Sequence, residues 1–220
     1  MLLDGVDAIS KYVGKPFGTI FTTQELANLR NSTNKGVVGQ LLERAIGLQN
    51  TSTTLDFVDG EMKSYKSKRD GNPDETVFIT QMLSQIDHIL AHQPFQQTPL
   101  FKKTRNLALV PIYKHKGVPV EQWMIVAVYH VNLAEPKWTH LATEFESDYR
   151  KICLGLNDHI NTSADGYIHT TNGTYIQVRS KDSKPYSPIF STKYGRNVSN
   201  KNHAFYFKKS LMQYVKQNSP

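Results

Sequence analysis

Two uninterrupted apolar runs, NLALVPIY at 106–113 and QWMIVAVYHVNL at 122–133, constrain the fold of this 220-residue chain more than any other feature. A strand with one face in water alternates apolar and polar side chains, whereas runs this continuous belong to strands covered on both faces. They predict the centre of a sheet. Helical spacing supplies the cover: apolar residues at 37, 38, 41, 42, 45 and 46 predict a helix over 35–47 with Gly47 as its stop. Leu141, Phe145, Tyr149, Ile152 and Leu156 predict a longer one over 140–160, and TTQELANLR at 22–30 predicts a short one behind a Thr cap. Further strands are predicted over 75–82 and 174–181, with 55–65 a strand or hairpin and 203–217 a strand turning into a terminal helix. LSQIDHILAH, from residue 83, has no decisive period, and residues 181–202, rich in Ser, Pro, Asn and Lys, read as a loop. The expected fold is α/β, a mixed central β-sheet flanked by helices. One domain is expected over 1–220, with two lobes over about 1–140 and about 141–220.

The formal charge of +7 is unevenly spread. Residues 171–220 carry nine Lys and Arg against Asp182 alone, interleaved with Tyr175, Tyr186, Tyr194, Tyr206 and Tyr214, while the first 170 residues carry 17 basic and 18 acidic side chains. All of the excess positive charge therefore lies in the last quarter, the footprint of a surface that meets a polyanion, nucleic acid first. A solubilising basic face gives the same balance. No apolar run reaches the ~20 residues that cross a bilayer, and Asp4 and Asp7 interrupt the apolar start, so the chain is expected to be cytoplasmic and to have no membrane partner. Cys153 is the only cysteine, which excludes an intrachain disulfide and a cysteine-rich zinc site. It falls in an apolar helix stripe and reads as a buried thiol.

Chemistry concentrates in LDFVDGEMKSYK at 55–66. Residues two apart on a strand point the same way, so Glu61 and Lys63 share a face. Asp56, separated from Glu61 by four residues, can reach the same point if Asp59-Gly60 makes a bend. Two carboxylates converging with a lysine can hold Mg²⁺ through hard oxygen ligands while the ammonium orients a water or steadies charge developing on phosphorus. Alone, the pattern also arises in any charged hairpin. His88 and His92 are four residues apart near Asp87, but they have no third His or Cys ligand nearby in the sequence and read as surface histidines.

The neighbours of this stretch extend the reading. KGVVGQLLE (Lys35, Gly36, Gly39, Leu42, Glu43) followed by Asp56, Phe57, Glu61 and Lys63 resembles the MutH family of DNA endonucleases and the related GATC-cutting restriction enzymes. In that family a Lys-Gly-x-x-Gly-x-x-Leu-Glu helix precedes an Asp-Phe...Gly-x-Glu-x-Lys strand, the core of PD-(D/E)xK nucleases. FKKTRNLALVPI and YIQVRSK...AFYFKK are similar to two further blocks of the family in the same order, so the resemblance runs from about residue 34 onward. It implies a restriction-endonuclease-like fold with a DNA-binding cleft. It makes Asp56, Glu61 and Glu43 the metal-side carboxylates, Lys63 the catalytic lysine and Lys103 a phosphate-side cation. Lys35 and Lys208 become phosphate contacts, Arg179 a guanine reader, Tyr206 a sensor of adenine and its methylation, and Ser180 and Lys181 parts of the recognition loop.

Two positions depart from the family. Its gap between the two strand carboxylates is longer than the four residues here, which makes Asp59 an alternative ligand, and Ser180 replaces a proline in the recognition loop. The expected activity is Mg²⁺-dependent, sequence-specific cleavage of double-stranded DNA by a type II restriction enzyme, on GATC or a related site, acting as a homodimer if the site is palindromic. The alternatives are a mismatch-repair nickase that acts on hemimethylated sites with partner proteins, and a DNA-binding domain without chemistry.

Overall fold

The computed structural model describes residues 1–32, 36–48, 55–181 and 185–219. In chain order its helices and strands are α1 (Leu2–Ser10), α2 (Thr23–Asn31), α3 (Val37–Ala45), β1 (Glu61–Ser67), β2 (Val77–Gln81), α4 (Ile86–Leu90), α5 (Pro99–Thr104), β3 (Asn106–Tyr113), β4 (Met124–Ile125), β5 (Tyr129–Asn132), α6 (Thr139–Thr162), β6 (Thr171–Asn172), β7 (Ile176–Ser180), β8 (Ile189–Ser191), β9 (Arg196–Ser199), β10 (His203–Phe207) and α7 (Lys209–Asn218). They form two compact units built from interleaved segments: Met1–Thr76, Asn106–Asn132 and Met212–Pro220 in one, Val77–Arg105 and Leu133–Leu211 in the other. Val77–Arg105 falls with Leu133–Leu211 in the second unit.

The first unit is organised around β3, the apolar run at 106–113. It pairs in parallel with β1, Glu61 opposite Leu107 and Lys63 opposite Leu109, and antiparallel with β4 and β5 along its other edge. One face, carrying Met62, Ala108, Val110 and Ile112, packs into a core with Leu2 and Ile9 of α1, Leu26 and Leu29 of α2, and Leu41 and Leu42 of α3. α2 starts where a cap was expected: Thr22 Oγ1 accepts from the Glu25 amide at 3.3 Å, and Glu25 Oε2 accepts from the Thr22 amide at 2.9 Å.

The run at 122–133 is not one strand but two, β4 and β5. Pro111 explains the break. Its carbonyl accepts the Val126 amide at 2.9 Å, and an extended residue points its N–H and C=O to the same side. The amide that proline lacks is therefore missing from the edge where β4 gives way to β5. The stretch at 55–65 is not a hairpin either: bends over 55–59 lead into β1, whose partner β3 lies 46 positions on at Glu61↔Leu107.

The second unit contains an antiparallel sheet in the order β2-β10-β7-β6. α6 covers one face, with Phe145 stacked on Phe207 at 5.9 Å between ring centroids. Inside α6, buried Asp148 accepts the amides of Thr174, Tyr175 and Ile176 at 2.5–2.8 Å and so fixes the start of β7. The expected loop at 181–202 contains the hairpin β8–β9, which Asp87 fastens by accepting from Ser191 Oγ, from the amide and hydroxyl of Thr192, and from the Lys193 amide. The whole is an α/β protein with a mixed sheet and flanking helices. Among the described residues, no helix is long and apolar enough to cross a membrane.

Candidate functional site

β1 delivers Glu61 and Lys63 on the face opposite Met62. Lys63 Nζ lies 2.5 Å from Glu61 Oε1, and the Glu61 side chain is 1% exposed. A buried carboxylate is costly unless it is paired, and the lysine two residues along the same strand supplies the pairing. The segment before β1 folds back on itself, with the Phe57 amide bonded to the Gly60 carbonyl at 3.0 Å. This bend brings Asp56 to the start of the strand, where Asp56 Oδ2 accepts the Met62 amide at 2.9 Å. Asp59, the alternative ligand, instead directs Oδ1 to the Leu2 amide of α1 at 2.8 Å.

Glu43, near the end of α3, joins this group electrostatically. α3 approaches β1 closely at Gly39, where an added Cβ would lie 3.4 Å from Ser64 Oγ and 3.8 Å from Glu43 Oε1. Burial first, then the charge of Asp56, push the Glu43 carboxyl above its ordinary value of 4.5; Lys63 pulls it down and Glu61 adds to the rise. A carboxylate whose proton affinity is raised in this way is, in its ionised form, a stronger base toward water.

Among the described residues, no group of three or more His, Cys, Asp or Glu side chains is arranged to hold a metal ion. Asp56, Glu61 and Glu43 share an electrostatic neighbourhood without closing a three-carboxylate cage. The donors on offer are hard oxygens beside a lysine. That chemistry suits Mg²⁺, which takes one or two carboxylates and fills the rest of its octahedron with water and phosphate. It does not suit zinc in a structural site. The histidine pair offers no competing centre: α4 ends at Leu90, and His92 lies beyond it in the left-handed region at φ 58°.

The second unit presents a different surface. On the face of its sheet away from α6, Arg179 of β7 lies over the Tyr206 ring of β10 at 5.3 Å, and Tyr206 meets Phe78 of β2 edge-on at 5.7 Å. Lys181, just past β7, sits over Phe78 at 4.9 Å. Arginine, tyrosine, phenylalanine and lysine thus form one continuous tier, two rings in contact with a cation over each. Phe78 was not a candidate from sequence; in the structure it is an exposed aromatic in a strand whose neighbours Val77 and Ile79 are buried. Ser180 ends β7 opposite buried His203. Lys208 Nζ donates to the Gly173 carbonyl at 2.8 Å, so its ammonium already has a structural bond. Lys103 is half-buried on α5 in the second unit. Lys35 lies outside the described residues.

No family model matches the chain. Its sequence is 26% identical over 209 residues to the DNA mismatch repair protein MutH of Haemophilus ducreyi, a similarity that spans 90% of this chain and 88% of that protein and supports a MutH-like family for it.

Proposed function

We propose that the chain is a Mg²⁺-dependent, sequence-specific endonuclease acting on double-stranded DNA, and that it cuts both strands of a short site as a type II restriction enzyme. The observation that carries the reading is the buried Glu61–Lys63 pair at the head of β1, with Asp56 folded back beside it and Glu43 nearby with a raised proton affinity. Glu61 and Asp56 would hold the ion, which when bound supplies Lewis acidity toward the phosphate and acidifies a water.

The remaining chemistry belongs to side chains. Lys63 orients the attacking water and steadies the charge that develops on the phosphoryl oxygens. Glu43 accepts the proton the water loses. The new bond joins the water oxygen to phosphorus, the phosphorus–oxygen bond to the departing nucleotide breaks, and the leaving oxygen takes its proton from solvent. Arg179, Lys181 and Tyr206, with Phe78 between them, are the candidate DNA-reading surface, the arginine for a base edge and the lysine for phosphate.

Similarity to a mismatch repair protein over most of its length favours a second reading, a strand-nicking endonuclease that acts on hemimethylated sites with repair partners. One assay separates the two: incubation with Mg²⁺ of supercoiled plasmid carrying unmethylated, hemimethylated or fully methylated GATC sites, with Glu61→Ala as control. Linear fragments from the wild type alone support the restriction enzyme. Slow nicking confined to unmethylated strands supports the repair reading. Intact plasmid with both proteins, repeated on DNA of broad sequence content, overturns the endonuclease in favour of a DNA-binding domain.

A further inference from the structure

The bend that carries Asp56 and delivers Glu61 is held from two sides by groups that take no part in the chemistry proposed above. On one side is α1. The Leu2 amide donates to Asp59 Oδ1 at 2.8 Å, and the Phe57 ring lies against Gly5 so closely that a Cβ there would fall 2.3 Å from ring carbon Cζ. On the other side is Asn106, the first residue of β3. Its Nδ2 donates to the Asp59 carbonyl at 3.1 Å, and its Oδ1 is 2.8 Å from Nε2 of His130 on β5.

Chemistry fixes the direction of this chain of bonds. A backbone carbonyl only accepts, so the amide nitrogen of Asn106 must face Asp59. The amide oxygen then faces His130, and the ring nitrogen there must carry the proton. Gly60 has no room to move between these holds: a Cβ at that position would lie 2.6 Å from Leu2 Cδ2 and 2.7 Å from the Asn106 carbonyl oxygen. The Asp59–Gly60 peptide is thus clamped immediately before Glu61.

We propose that Asn106, oriented by His130, is a positioning residue that sets the separation of the Asp56 and Glu61 carboxylates by holding the Asp59–Gly60 peptide. This rests on the endonuclease reading of the same site. A supporting group of this kind matters because misplacing a ligand weakens a cation site and slows chemistry without touching substrate binding; losses of about 10- to 100-fold are typical when such a partner is removed.

The test uses the full chain with Asn106→Ala, Asn106→Asp, His130→Ala and His130→Gln. Asn106→Asp keeps an acceptor for His130 but loses the donor to Asp59, and His130→Gln keeps a donor for Asn106. Four properties are read: cleavage rate at saturating DNA, DNA affinity by binding titration, the midpoint of a calorimetric Mn²⁺ titration, and amide exchange at Leu2, Gly60 and Met62 by NMR. The expected result is that Asn106→Ala and Asn106→Asp lower the rate and raise the Mn²⁺ midpoint by about 10-fold or more. DNA affinity stays within about twofold, and the three amides exchange faster. His130→Gln should recover most of what His130→Ala loses. Folded Asn106→Ala protein with wild-type rate, Mn²⁺ midpoint and exchange overturns the proposal. Absence of cleavage by the wild type would overturn the endonuclease reading and with it the catalytic role of Asn106; the exchange measurement separately decides whether Asn106 holds the bend.

Discussion

The ammonium of Lys63 lies 2.5 Å from a Glu61 carboxylate that is 1% exposed, while the lysine side chain itself is 20% exposed. In the proposed mechanism the lysine therefore serves stability and chemistry at once. Lys63→Ala is expected to destabilise the fold by about 3 kcal/mol, because it removes a counter-charge from a buried carboxylate. The double variant Glu61→Gln/Lys63→Met, with both charges gone, should regain most of that loss and remain unable to cut DNA. Urea unfolding of the three proteins checks the stability claim; equal loss in the single and double variants would show that the pair is not what stabilises this strand.

Glu43 should show a conflict between stability and activity. Its carboxyl is raised by burial and by Asp56, so the fold favours the protonated form. The stability this residue contributes is full below its ordinary value of 4.5 and is lost as the pH rises through the higher folded value. Glu43→Gln, permanently neutral, should melt about 2–4 °C above the wild type at pH 7 and no differently near pH 4, while cleavage falls. Melting curves across that pH range are the check.

On the aromatic tier the two cations should separate by function. Arg179→Ala should relax preference at one base pair by about 1–3 kcal/mol, and Lys181→Ala should weaken all sequences alike and reduce the salt slope of binding by about one. Binding titrations on a panel of sites at several salt concentrations measure both. Equal loss for every sequence with Arg179→Ala would remove it as a base reader.

Asp87 predicts acid sensitivity in the β8–β9 hairpin. Burial opposes its ionisation, but hydrogen bonds from Ser191, Thr192 and Lys193 outweigh it and hold the carboxyl down to about 2. Stability from this anchor is present above the ordinary value of 3.8 and is lost as the pH falls toward 2. Asp87→Ala should speed tryptic cleavage after Lys193 at neutral pH and lower the melting temperature by about 2–4 °C.

Much of this was legible in the sequence because it rests on local pattern. NLALVPIY is β3 to the residue, and the stripe Leu141–Leu156 lies within α6. What sequence could not give came from contacts made over distance. The hairpin at 189–199 exists because Asp87, about a hundred residues earlier, supplies the acceptors its turn requires. α1 went unread because Asp4 and Asp7 interrupt a helix whose buried side is only Leu2, Gly5 and Ile9. Within the candidate site, the period of two put Glu61 beside Lys63, and the bend at Asp59-Gly60 was foreseeable from its turn residues. The holds on that bend were not: Asn106 and His130 lie on other strands, and neither has a sequence signature for the role.

The parallel pairing of β1 with β3 also bears on how the protein comes into being. Adjacent antiparallel strands can zip from a turn, but Glu61 must wait for Leu107 and Lys63 for Leu109, with a segment of the other unit made in between. A nascent chain that has just emitted all three carboxylates has no sheet to seat them on. The site is therefore assembled late, by long-range closure, and folding should be slow for the length of the chain. A ribosome-bound fragment ending before Asn106 would carry Glu43, Asp56 and Glu61 and no β3 strand to seat them against.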